Sequence, residues 1–280
     1  MLSTLSVGQQ DIRCASFQWV TDTDGGEKAA MVVSAVINGK AVAMQFDTGS
    51  DVSVLYGQQQ AASLGLAVVE RPGDRMIAEG HLAIGEMDFL RQALHIVDYP
   101  PAQVAGRIGM RTLLGNIVQI DYPSQQICLL SKAQYHLSRN RIRQVQAHIR
   151  SSKLFINTEF NGNQEQQLFF DTGASLYALL TDKPHWQQLT GRQGNEKSNL
   201  TIEGWANDQV VTTIGAPLKG GLLLGGLEVE SLHAHYIRER PNYFANLPLE
   251  ADGLLGNALF FDKKIILDLR NKRTWFGIFK

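Results

Sequence analysis

The sequence predicts an all-β protein of two related, barrel-like halves with a cleft between them. Three observations predict it. Apolar residues come in short runs rich in Val, Ile, Leu and Phe, a strand signature. Asn-Gly pairs, which suit tight hairpin turns, punctuate those runs. A set of four segments also occurs twice, in the same order, as expected of an internal duplication.

Residues 12–20 are strand-like and precede the first repeat; residues 1–29 are expected to lend a strand to a sheet shared by both halves, with a prosegment as the alternative. Runs 31–37 and 41–46 flank Asn38-Gly39 and lead into Phe46-Asp47-Thr48-Gly49-Ser50. Their counterparts, 154–160 and 167–170, flank Asn161-Gly162 and lead into Phe170-Asp171-Thr172-Gly173-Ala174. Leu82-Ala83-Ile84-Gly85 then matches Leu222-Leu223-Leu224-Gly225, and Gly106-Arg107-Ile108-Gly109 matches Gly253-Leu254-Leu255-Gly256. At equal spacing beyond each closing glycine, an apolar run ends in Asp121 or Asp268. A short helix is expected in each half, at 112–114 and 258–260. Extra residues at 182–220, rich in Gly, Asn, Gln and Thr, read as longer loops. Residues 133–152 carry Ile142, Val145 and Ile149 at helical spacing among Arg residues, and read as a solvated linker helix between halves at 1–132 and 153–280.

Bulk properties narrow the function. The chain has 280 residues, 26 Lys plus Arg against 27 Asp plus Glu, and a net charge of −1. That balance excludes a chain-wide electrostatic grip on nucleic acid or anionic lipid. A hydrophobic content of 44% excludes intrinsic disorder, and the absence of a long apolar run excludes a helical membrane span. The first residues lack a signal-peptide pattern, so a cytoplasmic location is expected if Met1 is the natural start. Cys14 and Cys128 are then expected as buried free thiols rather than a disulfide. His233 and His235 share a strand face but lack a third ligand, so no metal is expected. Gly220-Gly221 and Gly225-Gly226 lack the Lys-Ser/Thr ending of a phosphate loop. Trp275-Phe276 reads as core.

Asp-Thr-Gly carries the chemistry. The Asp places a carboxylate at a strand end. The Thr packs while its hydroxyl bonds across to its twin. The Gly lets the backbone turn sharply beside the carboxylate. If the halves pair about a pseudo-two-fold axis, Asp47 and Asp171 meet there and share a proton, because two adjacent carboxylates resist ionising together.

On these residues the chain resembles the aspartic proteases of the pepsin and retropepsin superfamily. Asp47-Thr48-Gly49 and Asp171-Thr172-Gly173 match the catalytic motif, and Gly109 and Gly256 match the glycine closing the loop beside it. Arg107 departs from the usual apolar residue. The resemblance implies a monomeric endopeptidase, with both halves in one chain, acting on peptides or unfolded proteins without metal or organic cofactor. Asp47 and Asp171 are the expected catalytic residues, supported by Thr48, Gly49, Ser50, Thr172, Gly173 and Ala174. Hairpin flaps are expected near 69–78 and 200–207, bringing Arg71, Gly73, Asp74 and Trp205 to the substrate. The Tyr that pepsin flaps carry is absent. Ser50 and Ala174 offer one hydroxyl where pepsins have two, which implies a mildly acidic optimum. The alternative is a peptide-binding module that has lost activity.

Overall fold

The computed structural model describes residues 12–21, 27–73, 75–99, 102–161, 164–197, 199–206, 209–229 and 232–279. Strands dominate them. The first half runs β1 (Arg13–Val20), β2 (Ala30–Ile37), β3 (Lys40–Phe46), β4 (Ser53–Tyr56), α1 (Gln58–Ser63), β5 (Val68–Arg71), β6 (Arg75–Ile84), β7 (Met87–Val97), β8 (Gly106–Ile108), α2 (Met110–Leu113), β9 (Ile117–Asp121) and β10 (Gln126–Leu129). Then come α3 (Lys132–Ser138), β11 (Ile142–Arg150), β12 (Lys153–Phe160), β13 (Gln164–Asp171), β14 (Leu179–Thr181) and α4 (Lys183–Thr190). The chain ends with β15 (Leu200–Ala206), β16 (Gln209–Pro217), β17 (Leu222–Leu224), β18 (Leu227–Val229), β19 (His233–Ile237), β20 (Gly253–Gly256), β21 (Lys264–Asp268) and β22 (Arg273–Phe279).

The repeated segments take up matching pairings. β3 runs parallel to β8, while β4 is antiparallel to β8 and parallel to β7. Likewise β13 runs parallel to β20, while β14 is antiparallel to β20 and parallel to β19. The β2–β3 hairpin turns at Asn38 and Gly39, both at positive φ (48° and 81°), the backbone of a two-residue hairpin turn. Glycine is required where strands cross closely. A Cβ on Gly109 would lie 2.3 Å from the Val52 carbonyl oxygen, and one on Gly256 would lie 2.1 Å from that of Ala174.

The two halves join through a six-stranded antiparallel sheet in the order β1-β10-β9-β21-β22-β11, with β9 against β21 at its centre. β1 thus enters a shared sheet, as its sequence suggests. The expected linker helix is α-helical only over Lys132–Ser138 and ends in a 3-10 turn at Arg139–Arg141; from Ile142 onward the chain is strand β11, with Ile142, Val145 and Ala147 buried. The helical spacing of those apolar residues is overridden by seven register pairs with β22. Cys14 and Cys128 are not free thiols. They sit directly opposite each other on β1 and β10, Cα atoms 4.1 Å apart, and form a disulfide. Phe276 is buried and packs against Phe170 and Phe260, but Trp275 on the other face of β22 is 42% exposed. No described helix is long and apolar enough to cross a membrane.

Candidate active site

Strands β3 and β13 end at Asp47 and Asp171, and the turns after them meet at the junction of the halves. Their contacts are reciprocal. The Thr48 N–H donates to Thr172 Oγ1 (2.9 Å), and the Thr172 N–H donates to Thr48 Oγ1 (3.0 Å). Each hydroxyl then donates onward, Thr48 to the Phe170 carbonyl (3.2 Å) and Thr172 to the Phe46 carbonyl (2.8 Å). Both threonines are wholly buried, so each bond satisfies a group that water cannot reach.

This lattice brings the carboxylates side by side: a Cβ on Gly173 would lie within 3.0 Å of both Asp47 Oδ1 and Asp171 Oδ1. Gly49 and Gly173 permit it. A Cβ on Gly49 would lie 2.2 Å from Asp171 Cγ, and one on Gly173 would lie 2.6 Å from Asp47 Oδ1. Each carboxylate also accepts a backbone N–H from its own turn, Asp47 from Ser50 (3.0 Å) and Asp171 from Gly173 (2.7 Å). The Ser50 hydroxyl, expected to face Asp47, donates instead to the Val52 carbonyl (2.8 Å). It braces the turn toward β4. Ala174 closes the second turn, donating its N–H to the Asp171 carbonyl (3.3 Å).

The surroundings of the two carboxylates differ. Arg107 on β8 reaches Asp47 Oδ2 with Nη1 at 3.4 Å. Its guanidinium lies 5.8 and 5.9 Å from the rings of Tyr56 and Tyr99, which stack at 4.2 Å. Burial works against the Arg107 charge; Asp47 and the two phenols outweigh burial, and its pKa is raised. Among the described residues no cation forms an ion pair with Asp171. Burial, then the neighbouring Asp47 charge, raise its pKa to about 7 against the pull of the Gly173 N–H and of Lys153. Lys153, at the start of β12, is mostly buried and bonds the Gly49 carbonyl and Asp51 across the junction.

Tyr243, in the 238–252 loop, packs like Ala174 against the apolar cluster of Phe155, Phe169 and Phe244. Burial raises the Tyr243 pKa, and the Asp171 and Asp47 charges raise it further. Asp182 holds that loop by accepting the Phe244 and Ala245 N–H groups (2.8 and 2.9 Å). Arg150 binds the Leu249 and Glu250 carbonyls (3.0 and 2.7 Å) from the other side.

The expected flaps are both hairpins, β5–β6 and β15–β16. Arg71 and Gly73 sit exposed at the tip of the first, and no described hydrogen bond or ion pair ties them to the carboxylates. Asp74 lies outside the described residues. The Trp205 backbone pairs with Val210 on β15–β16. His235 on β19 is buried beside Tyr177, and burial followed by the nearby His233 lowers its pKa to about 4. Among the described residues no three His, Cys, Asp or Glu cluster as a metal site would require.

Sequence reasoning misses Tyr56, Tyr99, Lys153 and Tyr243 as neighbours of the carboxylates. Arg107 is visible there only as an irregularity in a repeated motif. An adjacent pair of carboxylates, one holding its proton toward neutral pH, can bind a water and move protons to and from it. Comparison with protein-family models and with curated proteins gives no match.

Proposed function

We propose that the chain is an aspartic endopeptidase built from two lobes, with its substrate groove between them. The observation that carries this reading is that the Asp47 and Asp171 carboxylates lie side by side around Gly173, positioned by the reciprocal Thr48–Thr172 bonds. Such a pair shares one proton because both members resist ionising together, the behaviour known from aspartic-protease dyads.

The steps balance without a cofactor. A water between the carboxylates gives a proton to the ionised one as its oxygen attacks the peptide carbonyl carbon. The protonated carboxyl gives its proton to the carbonyl oxygen, forming a gem-diol. The amide nitrogen then takes the first proton, the C–N bond breaks, and a gem-diol proton returns to the second carboxyl. Peptides and unfolded proteins are the substrate class, since only an extended chain fits a groove between two lobes. The Asp171 pKa near 7 supports activity from mildly acidic toward neutral pH. The Cys14–Cys128 disulfide fits an oxidising compartment better than the cytoplasm.

Incubation of the protein with denatured protein mixtures from pH 3 to 8, with cut sites read by mass spectrometry, tests this. The wild type is expected to cleave, and Asp47→Asn and Asp171→Asn each to lose about 1,000-fold, the usual scale for removing an acid–base group. Equal cleavage by either variant would sink the reading. One observation favours a second reading, a binding module: the Arg107–Asp47 ion pair, which neutralises one carboxylate. Tight peptide binding without cleavage at any pH would select it.

A further inference from the structure

We infer that Arg107 is a positioning residue that breaks the symmetry of the pair, holding Asp47 as the ionised, water-activating carboxylate and leaving the shared proton on Asp171. This rests on the endopeptidase reading for its chemical meaning, but its physical content does not need turnover.

The geometry is one-sided. Arg107 occupies a fixed place on β8, opposite Gln45 of β3 and Val54 of β4, and its guanidinium reaches Asp47 Oδ2. Leu254 holds the equivalent place on β20, opposite Phe169 and Leu180. It is buried among apolar side chains that include Phe155, Phe169 and Phe244. The duplicated backbone therefore offers a cation to one carboxylate and hydrocarbon to the other. Hydrocarbon surroundings favour the neutral, protonated form, and a cation favours the ionised one.

The other charged and titratable groups around the pair agree with this division. Tyr56 on β4 and Tyr99 after β7 face the Arg107 guanidinium and hold it between their rings and Asp47. Tyr243, in the 238–252 loop, has its pKa raised by burial and then by the Asp171 and Asp47 charges. Lys153 on β12 acts on Asp171 from its bond to Asp51, and its pull is outweighed by burial and the Asp47 charge. Arg107 Nε is buried without a hydrogen-bond partner among the described residues. A guanidinium that leaves one buried N–H unpaired sits at a cost, which its contact with Asp47 offsets.

The assignment orders the proton steps: Asp47 takes the proton of the attacking water, and Asp171 donates to the carbonyl oxygen. Carbon-13 NMR of the carboxyl-labelled aspartates, with the two signals assigned through Asp47→Asn and Asp171→Asn, reads the proton directly from pH 3 to 9. In the wild type the Asp171 signal is expected to titrate near 7, and the two signals to move separately. In Arg107→Leu the two signals are expected to move together. The acid limb of peptide cleavage by this variant should rise by about 1–3 pH units, the usual scale of one carboxylate–arginine contact. Arg107→Lys is expected to restore much of the wild-type order, which a merely structural role would not predict. Wild-type signals that titrate together would overturn the inference even if Arg107→Leu failed to fold. So would an unchanged titration order in Arg107→Leu. An asymmetric titration in a protein that cleaves nothing would retire the endopeptidase reading and leave Arg107 as the source of the asymmetry.

Discussion

The turns that begin at Asp47 and Asp171 share one backbone and differ in the charge around them. Both leave a strand of the same pairing, both bind the opposite turn through a threonine, and both approach a glycine across the junction. Beside Asp47 stand Arg107 and two stacked tyrosines, whereas the place equivalent to Arg107 near Asp171 holds Leu254 in an apolar cluster. Duplication of the chain dictates that the carboxylates meet. Within the duplicated Gly-x-x-Gly segment, Arg107 stands where the second half has Leu254, so the two carboxylates have different surroundings.

The largest effect expected from this difference is on stability against pH. The folded-state pKa of Asp171 is raised from 3.8 to about 7. The stability it contributes is therefore complete below about pH 4 and lost as pH rises through about 7. At about 1.4 kcal/mol per pKa unit the loss is at most ~4 kcal/mol. The side chain is not sealed from solvent, which makes that figure an upper bound. Urea unfolding at pH 4.5 and pH 8 should show the wild type losing stability relative to Asp171→Asn, because the lowered pKa of His235 adds the same opposite slope to both. Asp47→Asn leaves the largest cause, burial, in place and should keep part of the slope. A full slope in Asp171→Asn would break the comparison.

The outer strands of the shared sheet differ as well. β1 pairs with β10 over four residues and is tied by Cys14–Cys128, whereas β11 pairs with β22 over seven residues without a covalent tie. Lys132–Ser138 before β11 is also stabilised by a capping box between Ser131 and Gln134. The short pairing is the one that needs the bond. The disulfide spans 114 residues, and a loop of that order costs roughly 2–4 kcal/mol of stability when opened. Replacing both cysteines by serine should lower the melting temperature without changing cleavage by the folded protein. A change below about 0.5 kcal/mol, the scale of a neutral surface substitution, would show that strand pairing alone holds β1.

Much of this architecture is legible in the residues. The duplicated Phe-Asp-Thr-Gly and Gly-x-x-Gly segments locate the strands β3, β8, β13 and β20, because only glycine tolerates those backbone crossings. Asp47 and Asp171 follow from the same repeat. The partners of the carboxylates are less legible. Tyr56, Lys153 and Tyr243 carry no repeated signal, and their side chains arrive through pairings between residues far apart in sequence. Strand β11 misleads because Ile142, Val145 and Ile149 fit a helical period, while their burial is decided by β22 and β12. The disulfide is hidden because two cysteines so far apart carry no local signal: Cys14 and Cys128 stand opposite only once β1 pairs with β10.

Thr48 and Thr172 sharpen the comparison by being its symmetric part. Each hydroxyl accepts one buried N–H and donates to one carbonyl of the other half. Thr48→Val keeps the shape and strands the Thr172 N–H; Thr172→Val does the converse. An unsatisfied buried donor costs about 1–3 kcal/mol. The two variants should therefore be destabilised almost equally in denaturant titrations. A clear inequality would extend the asymmetry from charge to the backbone lattice itself.

The smallest expected effect belongs to Lys153, which crosses the junction in the opposite sense. It starts β12 of the second half, yet its ammonium binds the Gly49 carbonyl and Asp51 of the first. From there its charge opposes the raised pKa of Asp171. Removing a cation that favours the ionised form lets Asp171 keep its proton to higher pH. In Lys153→Met the alkaline limb of kcat/KM should therefore move upward, by about one pH unit or less, since several causes share the shift. Lys153→Arg should hold the limb in place, because the charge survives. A limb that moved downward in Lys153→Met would mean that the proton lost at high pH is not the one on Asp171, and the division between the two carboxylates would have to be redrawn.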